Sequence, residues 1–284
     1  MTTTSLTWGS RYLMCPPDHF EVAYAINPWM GGTVDVALAQ AQWRELATAI
    51  RAAGGTVEVM DAVPGLPDMV FTANAGVVDG GTFVAGAMRH PERMAETEHF
   101  RRWAAGNGFD VAALSDGAVL EGIGDCMPLG RSMIAGHGAR STRTAHDDIA
   151  RLTGREVIGV HLADLRWYHV DLTLCPLDDR RAIVYPDAYD ADGARRVLRA
   201  IPEPLVLTEA EASTFAANSI VVGSTVIMPA CPPRVGAQLE AWGFDVVVTD
   251  VSEFAKAGGA VRCLTLPLDT QLQVAAIDRS LEAA

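Results

Sequence analysis

Along the chain, amphipathic stretches alternate with short apolar runs, and a glycine or proline marks most junctions. Residues 43–53 read as an amphipathic helix, stopped by Gly54-Gly55 and followed by a strand over 56–60. The same phrase returns over 99–114 with Gly106-Asn107-Gly108 as the stop, and over 147–160 with Gly154. Further copies span 193–207, broken by Pro202 and Pro204, and 235–248, broken at Gly243. Hairpin turns stand at Asp79-Gly80-Gly81, Leu129-Gly130-Arg131, Asp178-Asp179-Arg180 and Gly223-Ser224. A strand-turn-strand-helix-strand unit therefore recurs at a spacing of roughly fifty residues, a period typical of rings, propellers and solenoids. A solenoid would show tightly matched copies with polar caps, and these copies are degenerate. A closed ring fits better, because the last strand, over 263–268, needs a partner and residues 12–15 supply one. The pattern predicts an α/β fold of five ββαβ units in pseudo-symmetric order. No linker or composition break divides it, so residues 1–284 are expected to form one domain.

At the start of each first strand stand Asn74, Asp125, Asp171 and Asn218, and Cys263 holds the corresponding place in the last unit. In a closed ring these positions converge on one axis. Two acids, two amides and a thiol gathered there point to a site.

Composition narrows the partners. The net charge of −13, with no Lys/Arg stripe, argues against nucleic acid or an anionic membrane surface. No apolar run approaches the ~20 residues of a membrane span. The N-terminus lacks the features of a secretory signal, and five cysteines without a C-x-x-C pair fit a reduced, cytoplasmic protein. A homo-oligomer is compatible with the sequence.

Cys263 follows the glycine-rich approach Gly258-Gly259-Ala260-Val261-Arg262, and a thiol there acts as a nucleophile if a nearby cation lowers its pKa. Cys126, Cys175 and Cys231 read as apolar filler. His169 and Asp171 are two apart, which on a strand places both on one face. Alone, that pair also suits a core histidine with a capping aspartate, or two metal ligands, but no third and fourth ligand stand at recognisable spacing. Glu121-Gly122-Ile123-Gly124-Asp125 suits a loop pressed against a ligand, or a tight turn. The stretch containing Asp68, Phe71 and Asn74 and the stretch containing Asn27 bring amides and aromatics toward the same axis. Residues 28–35, with Gly31-Gly32, are the first candidate for a lid. No G-x-G-x-x-G follows a strand, and no cofactor or metal is expected.

Together, the ordered motifs Pro-Asp-x-x-Phe-x-x-Asn, Glu-Gly-x-Gly-Asp, His-x-Asp and Gly-Gly-x-x-Arg-Cys resemble the guanidino-group-modifying enzymes. These are the arginine deiminases, dimethylarginine dimethylaminohydrolases and amidinotransferases, and their fold is the five-bladed α/β propeller called pentein. The resemblance implies Cys263 as nucleophile, His169 as general acid/base, Glu121 and Asp171 as guanidinium ligands, and Arg93 and Arg140 as carboxylate ligands. Asp68, Phe71 and Asp125 are expected to bind substrate as well. Deiminases carry an aspartate near the position of Asn74. The amide there, with the opening around Asn27, looks like the arginine dihydrolase branch, which takes arginine to ornithine, carbon dioxide and two ammonia molecules. Asn27 and Asn74 would then permit the second hydrolysis. The alternative substrates or products are a methylated arginine or a deimination ending at citrulline. A non-enzymatic binding protein of the same fold and a metal-dependent hydrolase using His169 and Asp171 are the other classes.

Overall fold

The structure, a computed structural model, describes residues 4–7 and 9–274. Five three-stranded sheets form the blades of a propeller. Gly76–Asp79 and Thr82–Ala85 make an antiparallel hairpin, and Asp110–Ala112 adds a parallel third strand. The same order recurs in Cys126–Leu129, Ser132–His137 and Glu156–His161. It recurs again in Leu174–Pro176, Arg181–Val184 and Glu203–Val206, and in Ile220–Val222, Thr225–Met228 and Asp245–Val248. The fifth blade joins the two ends of the repeat. Leu266–Pro267 pairs antiparallel with Arg11–Met14, which pairs in parallel with Thr56–Val59. This is the five-unit α/β ring that the spacing predicts. An additional antiparallel pair, Thr4–Thr7 with Gln271–Val274, has no counterpart in the repeat.

Inner and middle strands are apolar on both faces because both are covered: Val77, Val78, Phe83 and Val84 are all buried. The outer strands are only partly covered, and Val59 and Val248 remain exposed. The first long helix runs Val36–Ala52, starting ahead of residue 43 because the Asp35 side chain accepts from the Leu38 N–H and caps it. Its buried face carries Ala39, Leu46, Ala47 and Ile50. No helix among the described residues is long and apolar enough to cross a membrane.

The segments leading into the inner strands depart from expectation. His169 and Asp171 do not share a strand: His169 is extended, and Asp171 lies in the 3-10 turn Val170–Leu172. Thr72–Ala75 and Gly122–Asp125 are likewise single helical turns, and the last strand shrinks to Leu266–Pro267. The cause is geometric. Lead-in segments converge at the axis without a lateral strand to pair with, so each satisfies its N–H groups locally, as in Asn74 N–H to Phe71 O and Thr173 N–H to Val170 O.

The lead-in turns are instead tied blade to blade. Ala73 N–H donates to Cys263 O, and Asn74 Nδ2 to Glu121 O at 3.2 Å. Val170 N–H donates to Asp125 Oδ1 at 3.3 Å, and Asn218 Nδ2 to Asp171 O at 3.0 Å. Arg262 N–H donates to Asn218 Oδ1 at 3.0 Å and completes the circuit. Asn218 also donates to Cys263 Sγ and accepts from the Cys263 N–H. Replacing it strands several buried groups at once. Asn218→Ala is expected to lose at least about 2 kcal/mol of stability in denaturant unfolding; a loss below about 0.5 kcal/mol would show that the circuit is not held by its side chains.

Candidate active site

At the axis, a narrow cavity is lined by residues from several blades, among them Asn27, Asp68, Phe71, Asn74, Arg93, Arg140, His169 and Cys263. Most of the residues expected at the site thus share one cavity. Glu121, Asp125 and Asp171 are absent from its lining and fully buried, with Asp171 directly beside Cys263.

Cys263 sits in the turn that precedes Leu266–Pro267 and is 3% exposed. Its S–H donates to Asp171 Oδ2 at 3.3 Å, and Asn218 Nδ2 donates to the sulfur at 3.2 Å. Burial, and then the adjacent Asp171 charge, hold the thiol well above its ordinary pKa. Asp171 itself is pushed up to about 6 by burial, against the pull of His169 and the Cys263 hydrogen bond. Its second oxygen, Oδ1, has no hydrogen-bond partner among the described residues, leaving an acceptor beside the thiol.

Glu121 is where the geometry reshapes the expectation. Its Oε2 accepts from His169 Nε2 at 2.8 Å and from Arg140 Nη1 at 2.6 Å, while Oε1 accepts from the Arg89 N–H at 3.1 Å. Burial alone would raise its pKa, but Arg140 and His169 outweigh burial and hold it well below the usual carboxylate range. Both oxygens are thus taken by protein groups, so Glu121 orients the imidazole and Arg140 rather than facing the cavity. The glycines of its motif have steric causes. Gly122 has φ +56°, and a Cβ there would meet Ala73 O at 2.4 Å; a Cβ on Gly124 would meet Asn74 Nδ2 at 2.6 Å.

Two arginines bring cationic character to the cavity. Arg93 forks onto Glu96 through Nε and Nη2 and donates from Nη1 to Asn74 Oδ1 at 2.8 Å. Asp68 lies 3.7 Å from its Nε. Arg140 donates from Nη2 to Ile26 O and lies 4.7 Å over the ring of Tyr168. Asn74 is therefore held at both ends, accepting from Arg93 and donating to Glu121 O.

Asn27 reaches the cavity wall, but its amide is spent on the chain: Nδ2 donates to Ala257 O, and Oδ1 accepts from the Trp29 N–H. The lid candidate over 28–35 is latched to neighbouring segments. Trp29 Nε1 donates to Arg166 O, Gly31 N–H to Lys256 O, and Asp35 N–H to Glu253 Oε2. Asp125 is not a cavity residue; its carboxylate accepts from Ser141 and Val170. Tyr168, whose hydroxyl donates to Gly258 O, and Ser141 were not foreseen from sequence. Tyr168 adjoins the His-x-Asp motif and Ser141 adjoins Arg140, but sequence adjacency alone carries no signal about which side chains turn inward. Among the described residues, no group of three or more His, Cys, Asp or Glu has an arrangement suited to a metal ion.

A family model described as eukaryotic N,N dimethylarginine dimethylhydrolase matches residues 32–270. The chain is 38% identical over 260 residues to the N(G),N(G)-dimethylarginine dimethylaminohydrolase of Mycobacterium tuberculosis, covering 91% of this chain and 85% of that protein. It is 40% identical over 268 residues to AgrE, the bifunctional arginine dihydrolase/ornithine cyclodeaminase of Nostoc, covering 92% of this chain but only 38% of that longer protein. Among solved structures, the N-terminal domain of ArgZ, an arginine dihydrolase from cyanobacteria, superposes with a TM-score of 0.89 at 38% identity, covering 92% of this chain and 98% of that one. That structure is of a cysteine-to-serine variant bound to substrate. An asparagine-to-serine variant of the same domain, covalently bound to a reaction intermediate, has a TM-score of 0.88 at 38% identity, again covering 92% of this chain and 98% of that one. Fold, sequence and extent of match agree, and the chain belongs to the dimethylarginine dimethylaminohydrolase family of guanidino-group-modifying hydrolases.

Proposed function

We propose that this protein is an arginine dihydrolase, converting arginine to ornithine, carbon dioxide and two ammonia molecules through covalent intermediates on Cys263. The observation that carries the reading is the orientation of Asn74. Its neighbours demand a donor toward Glu121 O and an acceptor toward Arg93. An aspartate would keep Arg93 but turn a charged oxygen against the Glu121 carbonyl, so the amide is built into the site.

In the first half-reaction the substrate guanidinium lies over Cys263 and hydrogen-bonds to the free Asp171 oxygen. Its positive charge favours the thiolate that burial and Asp171 otherwise suppress. The thiolate attacks the guanidinium carbon, His169 gives a proton to the departing ammonia, and a thiouronium remains. His169 then takes a proton from water, which adds to that carbon and expels the thiolate, leaving bound citrulline. In the second half-reaction Cys263 attacks the ureido carbon and a second ammonia leaves. Water releases the resulting thiocarbamate as N-carboxyornithine, which loses carbon dioxide. Two waters are consumed per arginine. Glu121 accepts the His169 hydrogen bond and orients the imidazole, Arg93 and Arg140 attract the substrate α-carboxylate, and Asp68 and Phe71 shape the pocket. Asn27 and Asn74, whose amides are held by the chain, line the site without adding a negative charge, so the site does not favour a cation over the neutral ureido group. The proposed steps use no metal or cofactor. The steps require a reduced thiol, and all five cysteines are free; a reducing, cytoplasmic setting is part of the proposal.

The family model and the mycobacterial relative favour a second reading, in which methylated arginine gives citrulline and a methylamine. Chromatography of products from L-arginine and from asymmetric dimethylarginine separates the two. The dihydrolase reading requires ornithine and two ammonia per arginine; citrulline as the final product overturns it. Cys263→Ser should reduce turnover by at least about a thousandfold. Asn74→Asp should retain arginine hydrolysis but stop at citrulline, detected as one ammonia per turnover instead of two.

The low Glu121 pKa also sets a pH dependence of stability. A depressed carboxylate contributes stability that is fully present above its unfolded value of 4.5 and is lost as pH falls below it. Arg140→Met removes the main opposing cation. The melting-temperature gap between wild type and variant should therefore be widest at neutral pH and narrow steadily below pH 4.5; a gap independent of pH would contradict the pairing.

A further inference from the structure

At three of the equivalent axial positions, Asn74, Asp125 and Asn218, the choice between amide and acid follows what the next blade presents. Asn74 and Asn218 each face a backbone carbonyl, of Glu121 and Asp171, and donate to it. Asp125 faces only donors. Its Oδ2 accepts from Ser141 Oγ at 2.6 Å and from the Ser141 N–H at 3.2 Å, and its Oδ1 accepts from the Val170 N–H at 3.3 Å. An acceptor-only carboxylate is the side chain that satisfies such a set. Ser141 Oγ, having given its hydrogen to Asp125, in turn accepts from the Glu121 N–H at 3.1 Å. All three side chains are buried, Asp125 and Glu121 completely.

What these bonds hold is informative. Ser141 directly follows Arg140, and Val170 directly follows His169. Arg140 and His169 are the two side chains that meet on a single oxygen of Glu121, and Glu121 is the residue whose backbone Ser141 fixes. One carboxylate thus grips the chain immediately beyond both partners of Glu121, and its serine grips Glu121 itself. We infer that Asp125 and Ser141 form a buried bracket that positions His169, Arg140 and Glu121 for the reaction, so that Asp125 is a positioning residue and not a substrate ligand. The packing leaves little slack: a Cβ on Gly136 would stand 2.9 Å from Asp125 Oδ1. Loosening the bracket lets the imidazole drift from the orientation that proton transfer needs, and small misplacements of catalytic groups are costly.

This inference rests on the proposed role of His169, so its test carries one readout that needs no substrate. Ser141→Ala deletes the link while leaving Asp125 its two backbone donors, and Ser141→Thr keeps the hydroxyl. The first expected result is a kcat for arginine about tenfold lower in Ser141→Ala, with KM changed less than about threefold and a melting temperature within a few degrees of wild type. Ser141→Thr should restore kcat to within about twofold of wild type. The second readout is the proton NMR resonance of the His169 imidazole N–H held on Glu121, recorded without substrate. It should shift or exchange-broaden in Ser141→Ala and return in Ser141→Thr. A His169 resonance unmoved by Ser141→Ala overturns the bracket whatever the substrate is, as does a kcat loss that only tracks the folded fraction. A moved resonance in a protein that does not hydrolyse arginine overturns the proposed function and leaves the bracket standing.

Discussion

Where five blades meet at an axis, no strand is available to pair with the polar groups of the lead-in turns, and a buried hub penalises each group left unpaired. The circuit of hydrogen bonds from Ala73 through Asn74, Val170, Asn218 and Arg262 meets that requirement. It fixes each blade's first turn against the next. Because Cys263 and His169 sit on or beside those turns, closing the ring and assembling the reactive groups are one event. A side chain that serves closure in one direction, such as Asn218, serves the thiol in the other.

The same burial creates an electrostatic problem that the site turns to use. Glu121 stays anionic because Arg140 and His169 oppose the cost of burial, whereas Asp171, with weaker opposition, is pushed up to about 6. Beside that carboxylate the Cys263 thiol is reluctant to ionise. In the proposed mechanism a cationic substrate supplies the missing positive charge on arrival, which couples nucleophile activation to occupancy. Two buried arginines are each anchored by an acid, so no uncompensated cation is left in the core.

Much of this was legible along the chain because the repeat is written in local chemistry. Glycine-rich hairpins and helix stops are determined by neighbours in sequence, and so the five units and the joining of residues 12–15 to the last strand could be read directly. The lead-in segments were misread as strands, because strand and turn differ there only in whether a lateral partner exists, and the axis provides none. The partners of Asp125 were hidden for the same kind of reason. A residue pointing to the axis from within a Gly-rich motif gives no sign of its donors, Ser141 and Val170, until the fold brings them together. That Glu121 meets Arg140 and His169 could not be read from the chain, because positions 140 and 169 are far away in sequence.

The sequence by itself determined the period, the closure, the polar residue at each axial position and the kinship with guanidino-modifying enzymes, since each depends on residue identity and short spacing. Only the tertiary structure decided which polar groups face the cavity and which face the chain. Hydrogen-bond direction is settled by whether the adjoining blade offers an N–H or a carbonyl, and that neighbour is chosen by the fold.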